Sequence, residues 1–197
     1  MKTNLYLARH GQTQWNEVQR YQGQLDSALT LLGKEQSKKI AQQVLNKKID
    51  LIITSPLGRA VDTAVTCQKT LNKPIINVDG ITERDLGLWQ GQYANNIKNE
   101  IHYDEILHQF TALKPTDGES AIDCGTRIFN ALKTLITNHK NKNLLVIFHG
   151  EALRCFLAKI GQQSTRNAYD LFANGCTLHL TYNHETKNFQ YKTLEAK

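Results

Sequence analysis

The stretch Leu5-Tyr6-Leu7-Ala8-Arg9-His10-Gly11-Gln12-Thr13 decides how this chain is read, because an apolar run there ends abruptly in an arginine, a histidine and a glycine. Leu5 to Leu7 read as a short buried strand, and Gly11 marks a point where the backbone must turn or approach another group closely. Ligands of open α/β sheets sit beyond the carboxyl ends of the strands, so Arg9 and His10 are placed to meet a phosphate or a carboxylate. Arginine offers a rigid donor fork for oxyanions, and histidine a nucleophile or acid/base near neutral pH. The tripeptide alone is equally compatible with a strand followed by a polar turn.

The same pattern recurs along the chain. Leu51-Ile52-Ile53 reads as a strand running into Thr54-Ser55-Pro56, with Ser55 expected to cap a helix, Pro56 at its first position and Arg59 one turn in. That helix should extend to about Leu71 and bury Ala60, Val61, Ala64 and Val65. A third strand over 74–78 is followed by Glu83, with Asp85 close enough to compete for the same role. Leu144 to Phe148 is the most continuously apolar strand and runs straight into His149-Gly150, repeating the order strand, histidine, glycine, helix.

Between these units lies a polar loop over 11–29 carrying Asn16, Gln22, Gly23, Gln24 and Asp26, long enough to be functional rather than a simple connection. Thr30 reads as the cap of a helix through about residue 48. Residues 92–119 change character and read as one or two short amphipathic helices ending before Pro115 and Asp117-Gly118, a cap excursion rather than a core element. Helices over 120–139 and 151–161, a short one near 165–172, and strands near 176–182 and 188–193 complete the pattern. Repeated strand, loop and helix units argue for an α/β fold, a three-layer α/β/α arrangement with a mainly parallel central sheet. We take residues 1–197 as one domain.

Composition narrows the function. A 40% hydrophobic and 21% charged chain with mean hydropathy −0.46 is an ordinary soluble globular protein. It shows neither a membrane-length apolar run nor a signal peptide, so a cytoplasmic location without membrane association is expected. Cys67, Cys124, Cys155 and Cys176 form no C-x-x-C pair and read as buried thiols. The net charge of +6 arises from 24 cations, 17 of them scattered lysines, which favours a solvated basic surface and small anionic ligands over nucleic acid. His102, His108, His139, His179 and His184 show no ligand spacing, and His149-x-Glu151 lacks the Pro-Cys-x-x-Cys of a zinc deaminase, so no metal is expected. Arg154, one turn into the last major helix, reads as structural.

If the sheet is parallel, Arg9, His10, Arg59, Glu83 and His149 converge at one edge. Two arginines and two histidines make a cage for a tetrahedral anion, and the single carboxyl among them can serve as proton donor. Phosphoryl transfer needs these parts: donors for the equatorial oxygens, an in-line nucleophile, and an acid for the leaving oxygen. Arginines can supply the positive charge without a metal.

In these blocks the chain resembles the histidine phosphatase superfamily, in its phosphoglycerate mutase-like branch. They are Arg9-His10-Gly11-Gln12-Thr13 with Asn16, Gln22-Gly23, Leu29-Thr30-x-x-Gly33, Ser55-Pro56-Leu57-x-Arg59-Ala60-x-x-Thr63-Ala64, Glu83-x-x-x-Gly87-x-Trp89-x-Gly91, Gly118-Glu119-Ser120 and His149-Gly150. The resemblance implies that His10 becomes phosphohistidine, that Arg9, Arg59 and His149 hold the phosphoryl group, and that Glu83 is general acid and then base. It also implies polar contacts to phosphate or substrate from Asn16, Gln22, Gly23 and Gly150. For His10 to attack, its other ring nitrogen should donate to a backbone carbonyl that fixes the tautomer. Three positions depart from the family pattern: Ala28 replaces a usual proline, Gln90 a frequent glutamate, and Phe148 a small hydroxyl residue whose side chain would help orient His149.

Mutases of this family are longer, with a larger insertion after the Glu-x-x-x-Gly-x-Trp block. The short excursion over 92–119 therefore favours hydrolysis of small phosphorylated metabolites over phosphoglycerate mutase activity. A non-catalytic relative that binds phosphorylated ligands is the remaining alternative. The excursion holds Tyr93, Tyr103, His108 and Phe110 with few cations besides Lys98 and Lys114, which argues against a dedicated bisphosphate site. No cofactor is expected, and a homodimer is compatible with the sequence.

Overall fold

The computed structural model describes residues 1–192. A six-stranded sheet has the order β3-β2-β4-β1-β5-β6, formed by β1 (Lys2–Arg9), β2 (Leu51–Thr54), β3 (Ile75–Asn77), β4 (Asn143–Phe148), β5 (Thr177–Asn183) and β6 (Asn188–Lys192). The pairs β1·β4, β2·β4 and β2·β3 are parallel. β5 and β6 add an antiparallel hairpin at the β1 edge. The sheet is thus mainly parallel, and the expected strand end at residue 193 lies outside the described residues.

Side chains of a strand alternate between the two faces of its sheet, and here both faces are covered. Leu5, Leu7, Ile53, Leu144, Val146 and Phe148 pack into one cluster with residues of α6 (Ala121–Asn138) and α7 (Gly150–Lys159). Tyr6, Ala8, Ile52, Leu145 and Ile147 pack into the other with residues of α2 (Leu31–Val44) and α3 (Gly58–Leu71). Burial on both faces is why β1 and β4 read as continuous apolar runs rather than alternating ones.

The 92–119 excursion contains α4 (Ala94–Ile97) and α5 (Tyr103–His108), following the four-residue α1 (Gln14–Glu17) of the long loop in chain order. The excursion has its own small core: Tyr21 and Leu86 join Trp89, Ile97, Ile106 and Leu107. The short helix near 165–172 is α8 (Ala168–Leu171).

Two local expectations for α3 (Gly58–Leu71) are corrected: Val65 is exposed, and Thr63 and Cys67 join Ala60 and Ala64 on the buried face instead, and the helix start is not capped where the sequence implied. Thr30 caps α2 as its sequence implies, its hydroxyl accepting from Gly33 N. Ser55, however, does not cap α3, which starts at Gly58 with Leu57 at the cap position and no side-chain cap. The Ser55 hydroxyl instead accepts from Leu57 N within the preceding bend. The carboxylate of Asp26, 33 residues away, accepts from Arg59 N and takes over the start of the helix. Asp26 is thus a long-range substitute for a local cap, and it also fixes an arginine of the site.

The thiols of Cys67, Cys124 and Cys155 are buried, whereas Cys176 is partly exposed. Among the described residues no helix is long and apolar enough to cross a membrane, and no cluster of metal-ligating side chains occurs.

Candidate active site

The four parallel strands point their carboxyl ends to one edge, and the five singled-out residues meet there. Arg9 ends β1 and His10 follows it, Arg59 lies at the start of α3 after β2, Glu83 follows β3, and His149 sits between β4 and α7. All five are buried. A pocket of about 330 Å³ is lined by Arg9, His10, Arg59 and Glu83 together with the loop residues Asn16, Gln22 and Gly23 and the helix-start residue Gly150.

His10 is fixed by its own turn. Its Nδ1–H donates to the carbonyl of Gly11 at 2.7 Å, which leaves Nε2 unprotonated, as the sequence reading required. Arg59 Nε donates to that Nε2 at 3.2 Å. The turn is possible because Gly11 and Gly33 let two backbones touch. A Cβ on Gly11 would lie 2.1 Å from the Gly33 carbonyl oxygen, and one on Gly33 would lie 2.0 Å from that of Gln12. Thr63 adds a brace, its hydroxyl accepting from Gly11 N at 3.1 Å and donating to the Arg59 carbonyl at 2.8 Å. Burial first, then the cations Arg59 and Arg9, hold the His10 imidazole well below its ordinary pKa, so it is neutral at physiological pH.

The two arginines are held differently. Arg59 donates to the carbonyls of Gly23 and Leu25 at 2.7 Å each and pairs with Asp26 at 3.0 Å. Its pairing with the loop carboxylate of Asp26 and its place beside His10 therefore coexist. Arg9 donates to the Phe172 carbonyl and stacks its guanidinium 5.1 Å from the ring centroid of Tyr169. Its Nε makes no hydrogen bond among the described residues. Gly150 lets this guanidinium lie close, since a Cβ there would stand 3.3 Å from Arg9 Cζ.

His149 faces His10 with ring centroids 5.2 Å apart. Neither of its ring nitrogens has a hydrogen-bond partner among the described residues. Phe148, at the position where a hydroxyl would orient this ring, is fully buried in the core cluster on one sheet face. Burial lowers the His149 pKa as well, reinforced by Arg59 and His10.

Glu83 is seated at the N-terminus of α7. Its carboxylate accepts from Arg84 N at 2.8 Å, Ala152 N at 2.7 Å and Glu151 N at 3.3 Å. Those amides and Arg59 favour the ionised form, but burial outweighs them and the net shift is upward. Asp85, the competing carboxylate, instead accepts from Gly87 N at 2.9 Å in its own turn and does not line the pocket. Arg127 keeps the Glu83 segment in place, donating to the carbonyls of Thr82 and Glu83 while paired with Glu119 at 2.7 Å.

Asn16, Gln22 and Gly23 line the pocket from the long loop, and Asn174 braces the same region from elsewhere in the chain. Asn16 Oδ1 accepts from Thr13 N at 3.2 Å and from Asn174 Nδ2 at 3.1 Å, and Gln22 Oε1 accepts from Ser27 Oγ at 3.1 Å. Asn174 also donates to the His10 carbonyl at 3.1 Å. Neither Asn174 nor Tyr169, a half-exposed residue whose phenol pKa is pushed up to about 12 by desolvation, carries a sequence signal. Both come from the segment before β5, more than 150 residues beyond His10. Glu151 and Leu86 line the pocket too.

Gln90 shows why its position favours an acceptor. Its Oε1 accepts from Gln24 N at 2.6 Å, directly beside Gly23, which has a positive φ of 53° and no room for a Cβ.

Chemically, the pocket presents a neutral imidazole nitrogen, two guanidinium groups and a carboxyl with raised proton affinity, while the His149 imidazole, fully buried, stands 5.2 Å from the His10 ring without lining the pocket itself. Comparison with known proteins points the same way. Phosphoserine phosphatase 1 of Hydrogenobacter thermophilus is 32% identical over 152 residues, 76% of this chain and 72% of that protein. A probable phosphoglycerate mutase GpmB of Proteus mirabilis is 32% identical over 158 residues, 79% of this chain and 74% of the relative. The crystal structure of phosphoserine phosphatase from Entamoeba histolytica in complex with 3-phosphoglyceric acid superposes with a TM-score of 0.82 at 26% identity, covering 99% of this chain and 98% of that one. The family model of the histidine phosphatase superfamily (branch 1) matches residues 5–194, and the chain belongs to that family.

Proposed function

We propose that the chain is a metal-independent phosphomonoesterase that acts on small phosphorylated metabolites through a phosphohistidine on His10. One observation carries the reading: His10 presents an unprotonated Nε2 beside Arg59, while Arg9 Nε and both nitrogens of His149 are buried without a partner among the described residues. Buried polar groups are nearly always paired, so unpaired ones gathered around a nucleophile point to a polar ligand.

In the first step His10 Nε2 attacks phosphorus as the bond to the leaving oxygen breaks, and Glu83 gives its proton to that oxygen. The incoming phosphoryl oxygens draw the Arg59 Nε–H away from His10, and Arg9, Arg59 and His149 share the transferring charge. In the second step the Glu83 carboxylate takes a proton from water as the water oxygen attacks phosphorus and the phosphorus–Nε2 bond breaks, its electron pair returning to His10. Inorganic phosphate leaves, and His10 is again neutral and Glu83 protonated. Covalent catalysis divides one difficult displacement into two.

The mutase reading is supported by the resemblance to the GpmB relative. Against it, the pocket lining has no cation besides Arg9 and Arg59 to hold a second phosphate. Hydrolysis of p-nitrophenyl phosphate in EDTA by the wild type but not by His10→Ala is the expected result. No turnover on a broad phosphomonoester panel would contradict enzymatic function and favour a phospho-ligand-binding role. Isomerisation of 3-phosphoglycerate in the presence of 2,3-bisphosphoglycerate would favour the mutase.

A further inference from the structure

Behind Glu83 lies a second buried carboxylate that the proposed chemistry does not use. Glu151, in the first turn of α7, is 4% exposed. It is gripped by two arginines, Arg84 Nη1 at 3.1 Å and Arg154 through Nε at 3.0 Å and Nη2 at 2.9 Å. Both are themselves buried. Three further donations reach the cap: Arg84 Nη1 also donates to the Ile106 carbonyl in α5 at 2.8 Å, and Arg154 Nη1 to that of Gln109, just after α5, at 3.3 Å. Arg84 Nε reaches the carbonyl of Glu119, the last residue of the excursion, at 2.9 Å, and Arg84 Nη2 is buried with no partner among the described residues.

The same residues hold Glu83 through their backbones. Of the three amides that the Glu83 carboxylate accepts from, two belong to Arg84 and Glu151. A triad of side chains and a cradle of amides are therefore two faces of one structure, which ties the cap to the proton-carrying group.

We propose that Glu151 is a positioning residue for proton delivery: it locks Arg84 and Arg154 onto the cap, and the locked segment holds the Glu83 carboxyl in place for the leaving oxygen. The proposal rests on the reading of Glu83 as general acid. Glu151 lines the pocket, but its hydrogen bonds among the described residues go to Arg84, Arg154 and Glu83 and not to His10, Arg9, Arg59 or His149, so it acts through Glu83. Its loss affects substrates in proportion to their need for a proton.

The test compares kcat/KM of wild type and Glu151→Gln on p-nitrophenyl phosphate, whose leaving group departs unprotonated, and on a simple alkyl phosphate, whose leaving group does not. This parameter reports steps through release of the leaving group. The substitution is expected to lower activity on the alkyl ester about tenfold more than on the aryl ester, a fraction of what a general acid supplies. Equal losses on both substrates, or no loss on either, would overturn the proposal.

Should Glu151→Gln fail to fold, Arg154→Lys keeps the charge but loses the fork to Glu151 and the reach to Gln109. It must show the same leaving-group bias, and an unbiased loss counts against the proposal. If instead the wild type hydrolyses neither ester, or His10→Ala retains activity, the underlying functional reading fails and not the role of Glu151.

Discussion

Glu83 and Glu151 are two buried carboxylates at the start of the same helix, and their surroundings drive them in opposite directions. Around Glu83 backbone amides and the more distant charge of Arg59 favour the ionised form, but burial, joined by the neighbouring negative charge of Glu151, dominates and raises its proton affinity. Around Glu151 two guanidinium groups more than offset burial, and its carboxyl is held below the usual range. One can carry a proton at moderate pH and the other cannot. Environment rather than residue type divides an acid from a structural anion. The same division holds for the cations: Arg154 is saturated by Glu151 and a cap carbonyl, whereas Arg9 keeps a buried donor free.

The sharpest way to break this comparison is to remove the proton from the first carboxylate. Glu83→Gln should lower kcat/KM on alkyl phosphates by about 10²–10⁴-fold, the range for a general acid, while thermal unfolding moves little. Steady-state kinetics beside a melting curve would check both. A large fall in stability with little kinetic effect would reverse the assigned roles.

The second carboxylate should show the opposite balance. Glu151→Gln leaves Arg84 and Arg154 facing each other without their shared anion, and should destabilise the fold by about 3 kcal/mol. Urea unfolding of the two glutamine variants side by side gives the comparison directly. Equal stability losses would mean that the two environments do not differ as described.

A third variant leaves both carboxylates untouched and moves only the nucleophile. Gly33→Ala places a Cβ 2.0 Å from the Gln12 carbonyl oxygen and forces the turn after His10 to shift. Misplacing a reacting group by a fraction of an ångström is expected to cost about tenfold in kcat/KM, on aryl and alkyl esters alike. A bias toward one leaving group would show that this turn also positions Glu83.

The pH profile gives the smallest but most specific effect. His10 must be neutral to attack, and its pKa lies well below the ordinary imidazole value of 6.5, so the acid limb of kcat/KM should fall below that value. Glu83 must be protonated, and its pKa lies above the ordinary carboxylate value of 4.5, so activity should be lost as pH rises through that raised value. The charged groups facing Glu83 are Arg59 of α3 and Glu151 of α7, with Arg127 of α6 on its carbonyl and the Tyr169 phenol of α8 nearby. Removing the negative charge in Glu151→Gln lowers the Glu83 pKa, so the alkaline limb should move toward acid. Profiles corrected for the second ionisation of the substrate measure this, and an alkaline displacement would contradict the electrostatic account.

Much of this was legible in the sequence because its signals are local. Arg9-His10-Gly11 and His149-Gly150 declare themselves where an apolar strand stops, and the parallel sheet brings such ends together. What sequence reasoning missed depends on contacts across the chain. Asp26 replaces Ser55 at the start of α3, Asn174 braces the His10 carbonyl from the segment before β5, and Tyr169 covers Arg9. Arg154 reads correctly as structural, but its partner Glu151 is revealed only when α7, the Arg84 segment and the cap are packed together.

The central claim, that His10 is the phosphoryl acceptor, is tested most directly by trapping the intermediate. The enzyme is mixed with a phosphomonoester, quenched in alkali, which preserves phosphohistidine, and mapped by peptide mass spectrometry. The account expects one added phosphoryl group on the peptide and the side chain of His10, at higher occupancy in Glu83→Gln treated with p-nitrophenyl phosphate, because hydrolysis then lacks its base. A phosphoryl group on His149, or rapid turnover with no phosphoenzyme in either protein, would contradict it.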